Sequence, residues 1–575
     1  MKIIIASLIS LISFTALAQD LHTEITVDRT VLPDVRDAKR PGGLVPAISA
    51  PSVSQSSLSP AEYNTHGAIS PILSPLPPVS WGNATERTPY RGYASAGYFP
   101  LYHVGANAGY RFVDEDFANA GAWIQYNGNS HNGDIAHFDD ALFTTNIIHA
   151  GIYGRYDISN TSTLNVEILG DYNSVRTPYY YLGNEIERRR SYNQGSYMLN
   201  PKASWSGYFG NFYVAVGAGW QRFKFNHNLA TDLTGDHLSH VCQDAVDASF
   251  RFGVCRPGET VPFFGIDADV TSLKSNSILA AQSAYLSGRM NQGHVLPYLR
   301  ASWKNLSGHV GANVSIAGGI GEHHIKVAPE VMVQWHQIDW LKIFARVHGG
   351  EHIDRMAEIF EYNPYIYPAQ AYQRTDMPLV IDGGVAIGPI NSFEFVVEGG
   401  YALARNALIP IINIERNGYS YSDMIHADFN SWNVGARMRY TYLSIATFEM
   451  GFKTGGSDVN ATSWYEWHDS AKWLFDVSLK FKPIRPLDVT VGFDSRACRK
   501  AIQREYPFNT TSYSADISIR NLENMSNVHI RGDYKISDQI SAFADIENLL
   551  NNKCYLISGM PAQGLAGLIG ASYKF

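Results

Sequence analysis

The sequence predicts an all-β protein: a transmembrane antiparallel β-barrel of the outer-membrane type with 20–22 strands, of which 22 is favoured. Two patterns along the chain predict it, because segments of about ten residues alternate in side-chain character and the connections between them are short and long in turn. The composition agrees. Only 17% of the 575 residues are charged, against about 25% in ordinary soluble proteins. This profile suits a chain that meets lipid and water at successive residues.

Residues 1–18 are predicted to be a secretory signal peptide. Lys2 supplies the positive start, Ile3 to Leu17 is apolar, and Ala16 and Ala18 give a small-x-small cleavage pattern. The apolar run has only about 15 residues, whereas a membrane-spanning helix needs about 20. We therefore expect an exported protein.

Residues 19–90 are predicted to form a Pro- and Ser-rich periplasmic arm or linker. Ten of the 26 prolines lie between Pro33 and Pro89, and such a segment cannot build a regular core. One exception is Thr23 to Arg29, which alternates like a strand and could add to an exposed sheet edge of a partner. A disordered stub is the alternative interpretation.

Residues 91–575 carry the strand pattern to the end of the chain. Val104 to Phe112 and Phe212 to Trp220 are typical segments, with large apolar and aromatic side chains on one face and small or polar ones on the other. The alternation rule predicts roughly seven strands between 91 and 227 and roughly eleven between 323 and 575. The ambiguous stretch 228–322 must supply an even number, and four strands there give 22.

The connections predict which end of the barrel faces outward. Tight turns are expected around Asn160, Gly210, Ile338, Ile390, Ile484 and Asp538. Long loops are expected at 177–194, 228–273, 351–377, 405–429 and 457–469. In outer-membrane barrels the long loops are extracellular and the short turns periplasmic.

The four cysteines do not suggest a disulfide scaffold or a metal site. Cys242 and Cys255 lie 13 positions apart in a polar stretch, and a disulfide between them would close one loop with roughly 3 kcal/mol of stabilisation. Whether Cys498 and Cys554 meet is left open by the sequence.

Candidate functional side chains are few. His348 and His352 would lie roughly 13 Å apart on an extended strand, so they cannot share one metal ion. The run Glu187 to Arg190 could meet an anionic ligand or lipopolysaccharide, although a solvated loop cluster explains it more simply. Three aromatic residues lie close together in the sequence, namely Trp464, Tyr465 and Trp467. They could contact a ligand such as a sugar, or they could belong to the aromatic girdle at the membrane interface. We predict no catalytic residue, no metal, no cofactor and no enzyme.

The C-terminus predicts a final strand with an insertion signal. Ile569, Tyr573 and the terminal Phe575 share one face of an alternating segment. A last strand that ends in an aromatic residue is similar to the signal that barrel-assembly machinery recognises.

The preceding residues resemble the end of TonB-dependent receptor barrels. Phe543 to Tyr555 contains that family's Asn-Leu, Asn and Tyr pattern, and Gly559 to Gly564 contains its Gly-x-Pro-x-x-Gly pattern. The resemblance covers roughly residues 91–575 and implies a transport barrel. The family also has a folded N-terminal plug that fills the lumen, and residues 19–90 lack the pattern of such a domain. The resemblance therefore implies a receptor-like barrel without the plug.

A wide lumen with nothing inside would be hazardous to the cell, so we expect inward-folding loops, the arm or another protein to occlude it. Three functions follow: a plugless channel or transport component, a diffusion porin, and a structural subunit of an outer-membrane complex. The predicted partners are outer-membrane lipids, the assembly machinery and another outer-membrane or periplasmic protein. The net charge of −8 gives no indication of nucleic acid.

Overall fold

A computed structural model describes residues 90–575 except for short gaps. The gaps are 101–102, 133–141, 180–189, 228–239, 258, 278–287, 320–322, 339, 363–373, 415–419, 444, 460–470, 506–515 and 558–559. The predicted signal peptide and nearly all of the predicted arm lie outside the described residues. So do the aromatic residues Trp464, Tyr465 and Trp467.

The described residues form 26 strands and one short helix. The strands are β1 Gly92–Phe99, β2 His103–Asp114, β3 Ala118–Asn132, β4 Leu142–Ser159, β5 Ser162–Tyr179, β6 Arg190–Phe209, β7 Phe212–His227, β8 His240–Cys255, β9 Pro262–Ser277, β10 Gly288–Trp303, β11 Leu306–Gly319, β12 His324–Ile338, β13 Leu341–Ile353, β14 Arg374–Ile390, β15 Phe393–Ile414, β16 Ser420–Tyr442, β17 Ala446–Val459, β18 Trp473–Ile484, β19 Leu487–Ala497, β20 Arg499–Glu505, β21 Asp516–Leu522, β22 Met525–Lys535, β23 Ile540–Glu547, β24 Tyr555–Ile557, β25 Met560–Pro561 and β26 Ala566–Lys574. The helix is α1, Met356–Tyr362.

Twenty-two of these strands close into one antiparallel barrel. They run in chain order from β1 to β19 and continue through β22, β23 and β26, and β26 pairs with β1 to complete the ring. The favoured strand number is therefore confirmed, with seven strands before residue 228, four in the ambiguous stretch and eleven after it. Closure leaves no lipid-facing backbone unpaired, which a bilayer requires.

Two predicted long loops are wrong. The stretch 228–273 contains β8 and most of β9, which pair with each other along the wall. The stretch 405–429 belongs to β15 and β16, which continue their pairing beyond a bulge between Ala404 and Ala407. Polar residues in both stretches interrupt the alternation of apolar and polar positions on which the strand prediction rests.

A hairpin of β20 and β21 fills the connection between β19 and β22 on the long-loop side. β20 pairs in parallel with the upper part of β15, so β16, β15, β20 and β21 form a small sheet beyond the wall. Ile409 and Ile411 of β15 pack with Ile502 of β20, and this contact stabilises the hairpin by excluding water.

The outer surface of the barrel is an apolar band. Side chains on this face remain exposed in the isolated chain, among them Ile124, Ile152, Val246, Val270, Leu299, Val310 and Val327. Exposed aromatic residues at strand ends include Trp303 of β10 and Tyr442 of β16, as in the girdles of outer-membrane barrels. The closed barrel with this band places the chain in the outer membrane. Among the described residues, no helix is long and apolar enough to cross a membrane.

Candidate functional site

The connection between β13 and β14 folds into the barrel lumen. After β13 ends at Ile353, the chain forms α1, whose apolar residues Met356, Ile359 and Phe360 follow the spacing of a single helix face. All three side chains are almost fully buried. Since the helix has only seven residues, its stability comes from packing against the wall.

An apolar pocket near the extracellular ends of the wall strands receives this face of α1. The Phe360 ring centroid lies 5.0 Å from that of Phe225 and 5.8 Å from that of Phe223. The same cluster includes residues from both sides of α1, which are Ala245, Leu273 and Met290 from β8 to β10 and Leu408 and Met424 from β15 and β16. The helix therefore bridges two separate parts of the barrel wall.

Arg355 provides a polar anchor for the segment. Its guanidinium forms two hydrogen bonds with the carboxylate of Asp247 on β8, at 2.9 Å and 2.5 Å. Thr271 of β9 also donates to Asp247. The backbone N–H of Met356 donates to Gln243 at 2.8 Å. A bidentate ion pair between a guanidinium and a carboxylate fixes the orientation of both groups as well as their distance. The segment is therefore held in one position against the wall.

A second polar cluster secures the base of the segment on β12 to β14. Lys326 reaches both Glu351 and Asp376 at 2.9 Å, and His324 contacts Glu351 at 2.8 Å. The Glu351 side chain is only 3% exposed, so its charge depends on these partners. Thr375 donates to Asp354 at 2.9 Å, which joins the start of the segment to β14.

Glu358 lies on the exposed side of α1. Its side chain is solvent-accessible, yet the surrounding wall raises the pKa of its carboxyl group by desolvation, against the opposing charges of Arg355 and His352. We attribute the rise to enclosure by the wall, because an accessible side chain inside a narrow lumen still loses much of its bulk water.

Below the segment, the lumen wall carries paired charges. On β11 to β14, Glu330 contacts His309 at 3.2 Å and Arg346 at 3.0 Å, and His348 contacts Asp382 at 3.0 Å. Across the lumen wall, on β19, β22 and β23, the contacts are His529 with Asp494 and Arg531 with Asp545. Such a lining is typical of a barrel with a polar interior.

The two histidines considered as metal ligands have separate carboxylate partners. His348 contacts Asp382, whereas His352 contacts Asp354 at 3.2 Å. Among the described residues, no group of three His, Cys, Asp or Glu side chains is placed to hold a metal ion. Of the run Glu187 to Arg190, only the backbone of Arg190 lies within the described residues, at the start of β6.

The possible disulfide between Cys242 and Cys255 is not formed in this structure. Both residues lie on β8, at opposite ends of the strand, and both thiols are free. Thirteen residues of extended strand separate their Cα atoms by roughly 43 Å, far beyond the reach of a disulfide. Cys498, which is exposed, and Cys554, which is buried, do not form a disulfide with each other.

The residues of the predicted insertion signal lie on the outer face of the closing strand. Ile569, Tyr573 and Phe575 are exposed there, and the Phe575 ring stacks on Tyr110 of β2 at 6.1 Å. Their position agrees with the predicted face, and recognition by the assembly machinery stays a prediction.

The helix α1 was not predicted from the sequence, because 351–377 was expected to be a long extracellular loop. The one local signal for it is the spacing of Met356, Ile359 and Phe360, which fits one face of a helix. The polar partners in the wall, such as Asp247, carried no local signal. They become functional only because the barrel brings β8 and α1 together.

Comparison with known proteins addresses the fold. No protein-family model matches the sequence, and no curated protein matches it. The FrpB iron transporter from Neisseria meningitidis matches with a TM-score of 0.65 at 10% identity, over 84% of this chain and 81% of that chain. The ferripyoverdine receptor of the outer membrane of Pseudomonas aeruginosa matches with a TM-score of 0.60 at 10% identity, over 84% and 72%. The chain has the barrel fold of outer-membrane iron and siderophore receptors.

This receptor-type barrel fold is shared more widely. The ferric yersiniabactin uptake receptor FyuA from Yersinia pestis matches with a TM-score of 0.58 at 9% identity, over 84% of this chain and 80% of that chain. At such low identity the similarity shows a shared backbone fold and does not identify a ligand for this chain.

Proposed function

We propose that this chain is a channel or transport component of the outer membrane that resembles a TonB-dependent receptor without a folded plug. In this proposal its own segment 354–362 narrows the lumen. The observation that carries the proposal is the docking of α1 across the lumen, through Arg355 on Asp247 and Phe360 on Phe225. A segment that is held by the paired hydrogen bonds of Arg355 with Asp247 and by an apolar pocket has a fixed position in the lumen, unlike a loose surface loop. It can therefore narrow the lumen.

Removing the segment tests the proposal. Ile353 and Arg374 lie directly opposite each other on β13 and β14, so a short Gly-Asn turn can replace residues 354–373 without moving the strands. We expect the wild-type protein to conduct weakly in a planar bilayer and the shortened variant to show large, steady conductance. Asp538→Asn in a periplasmic turn is the control. Equal conductance of the wild-type and shortened proteins would contradict the proposal.

A structural role in a larger complex is the second candidate. The sheet of β16, β15, β20 and β21 beyond the wall supports it, because extracellular strand edges can pair with another chain. A native pull-down with mass spectrometry, with and without residues 19–90, tests this role. Recovery in a fixed complex that does not conduct would favour the scaffold over the channel.

A passive diffusion porin is the third candidate. The paired charges of the lumen support it, since a polar lining passes small solutes. Swelling of vesicles in neutral sugars of increasing size separates this candidate from the first. A sharp size limit in the wild-type protein, unchanged by loss of segment 354–362, would favour the porin.

A further inference from the structure

The outer wall carries a basic row near its extracellular end. Four residues on neighbouring strands β7 to β10 are directly opposite one another in register, and they are Arg222, Asp244, Lys274 and Arg289. We call these four residues the outer-wall row. Lys224 of β7 lies two residues further toward the extracellular side. Four basic side chains therefore surround one carboxylate.

The row faces the membrane and not the lumen. Side chains alternate across a strand, and the neighbours Leu273 and Met290 are buried in the α1 cluster inside the barrel. Lys274 and Arg289 are exposed on the opposite face. On the same outer face, Val246 and Val270 are exposed members of the apolar band, two and four residues closer to the bilayer centre than Asp244 and Lys274. The row therefore lies on the extracellular side of these two apolar residues.

The charges within the row are not balanced by the protein. Arg222 lies 3.8 Å from Asp244, so the single carboxylate is shared. Lys274 and Arg289 form a directly opposed cross-strand pair, and like charges at such positions destabilise a sheet. No ion pair joins either of them to an acidic side chain in the described part of the chain. An external anion that bridges the two would convert this repulsion into attraction.

We infer that the outer-wall row binds a phosphorylated glycolipid of the outer leaflet, of the lipopolysaccharide class. Its phosphate groups lie against Lys274 and Arg289, and its acyl chains lie along the apolar band at Val246 and Val270. A free phosphate has no use for that band, whereas a lipid satisfies both the charge and the apolar surface. Interfacial snorkelling alone explains isolated Lys and Arg residues, but it does not require two of them to face each other.

Lipid retention tests the inference. The full chain is reconstituted in phosphatidylcholine vesicles that contain bisphosphorylated lipid A, extracted in mild detergent, and analysed by native mass spectrometry. We expect K274Q/R289Q to retain less lipid A by about thirtyfold, the loss expected for two charges at a headgroup surface. The wild-type protein with dephosphorylated lipid A should show the same loss. K482Q/K535Q at the periplasmic turns is the control with the same charge change.

A gain of binding separates recognition from a structural effect. Asp244→Asn removes the only carboxylate of the row and should increase lipid A retention, whereas damage to the wall would decrease it. A folded gel-shift band for each variant verifies the barrel. Unchanged retention in K274Q/R289Q, or equal retention of phosphorylated and dephosphorylated lipid A, would overturn the inference. So would full displacement of lipid A by inorganic phosphate, since the site would then recognise phosphate without the lipid.

Discussion

At the scale of single residues, Lys326 holds together the polar cluster at the base of segment 354–362. We call this group of Lys326, His324, Glu351 and Asp376 the base cluster. Lys326 contacts both Glu351 and Asp376 at 2.9 Å, and without it two carboxylates at the base of the segment lose their shared cation. Because Lys326 is 41% exposed, we expect K326M to lower the free energy of unfolding by about 1–2 kcal/mol, less than for a fully buried pair. Urea unfolding of the refolded barrel in micelles measures this change.

A matched lysine gives the control for Lys326. Lys480 is 58% exposed and lies 3.8 Å from Glu449, so K480M should change the free energy of unfolding by less than about 0.5 kcal/mol. Adding E351Q to K326M should recover part of the loss, because the unpaired buried charge is removed. If K326M and K480M unfold alike, the base cluster does not hold the segment.

At the scale of elements, α1 is expected to act as a unit that can undock from the wall. Phe360 is 4% exposed and packs on two aromatic rings of β7. Replacing a buried Phe by Ala costs about 3–5 kcal/mol, and here most of the cost falls on docking of α1. We therefore expect F360A to raise single-channel conductance toward that of the variant without residues 354–373.

The control for Phe360 lies on the lipid side of the wall. Phe250 of β8 is 45% exposed to the membrane, so F250A tests the loss of a Phe side chain without touching α1. Its conductance should match the wild-type protein. If the conductance of F360A stayed as low as that of the wild-type protein, the hydrogen bonds of Arg355 with Asp247 would be sufficient to keep the segment in place.

The sequence could predict the strands but not α1, and the reason is physical. A wall strand meets lipid on one side at every second residue, so its alternation is imposed locally and can be counted. The contacts that fix α1 join residues more than 100 positions apart, such as Arg355 with Asp247 and Met356 with Gln243. Likewise, β20 owes its place to β15. Neither partner is visible from its own stretch of sequence.

At the scale of the whole molecule, the barrel is closed by a seam between the two ends of the described chain. β26 pairs with β1, and Gly92 and Phe575 exchange two backbone hydrogen bonds of 2.7 Å and 2.9 Å. A Cβ atom at Gly92 would meet the Phe575 ring, so a larger residue at this position would shift the ring from its place over the seam. The terminal aromatic thus has a structural position in addition to its predicted role in insertion.

The variant F575A separates the structural role of Phe575 from its predicted role in insertion. F575A removes the ring contacts of Phe575 with Tyr110 and Tyr573, each worth about 1 kcal/mol, so the free energy of unfolding of the refolded protein should fall by about 2 kcal/mol. If Phe575 is also read by the assembly machinery, the fraction inserted in the outer membrane of cells should fall several-fold. Phe112 is the matched control, since its ring also lies 6.1 Å from Tyr110 and is exposed on the same face. Insertion of F112A and F575A to the same extent would show that Phe575 only covers the seam, because only F575A removes the terminal aromatic side chain.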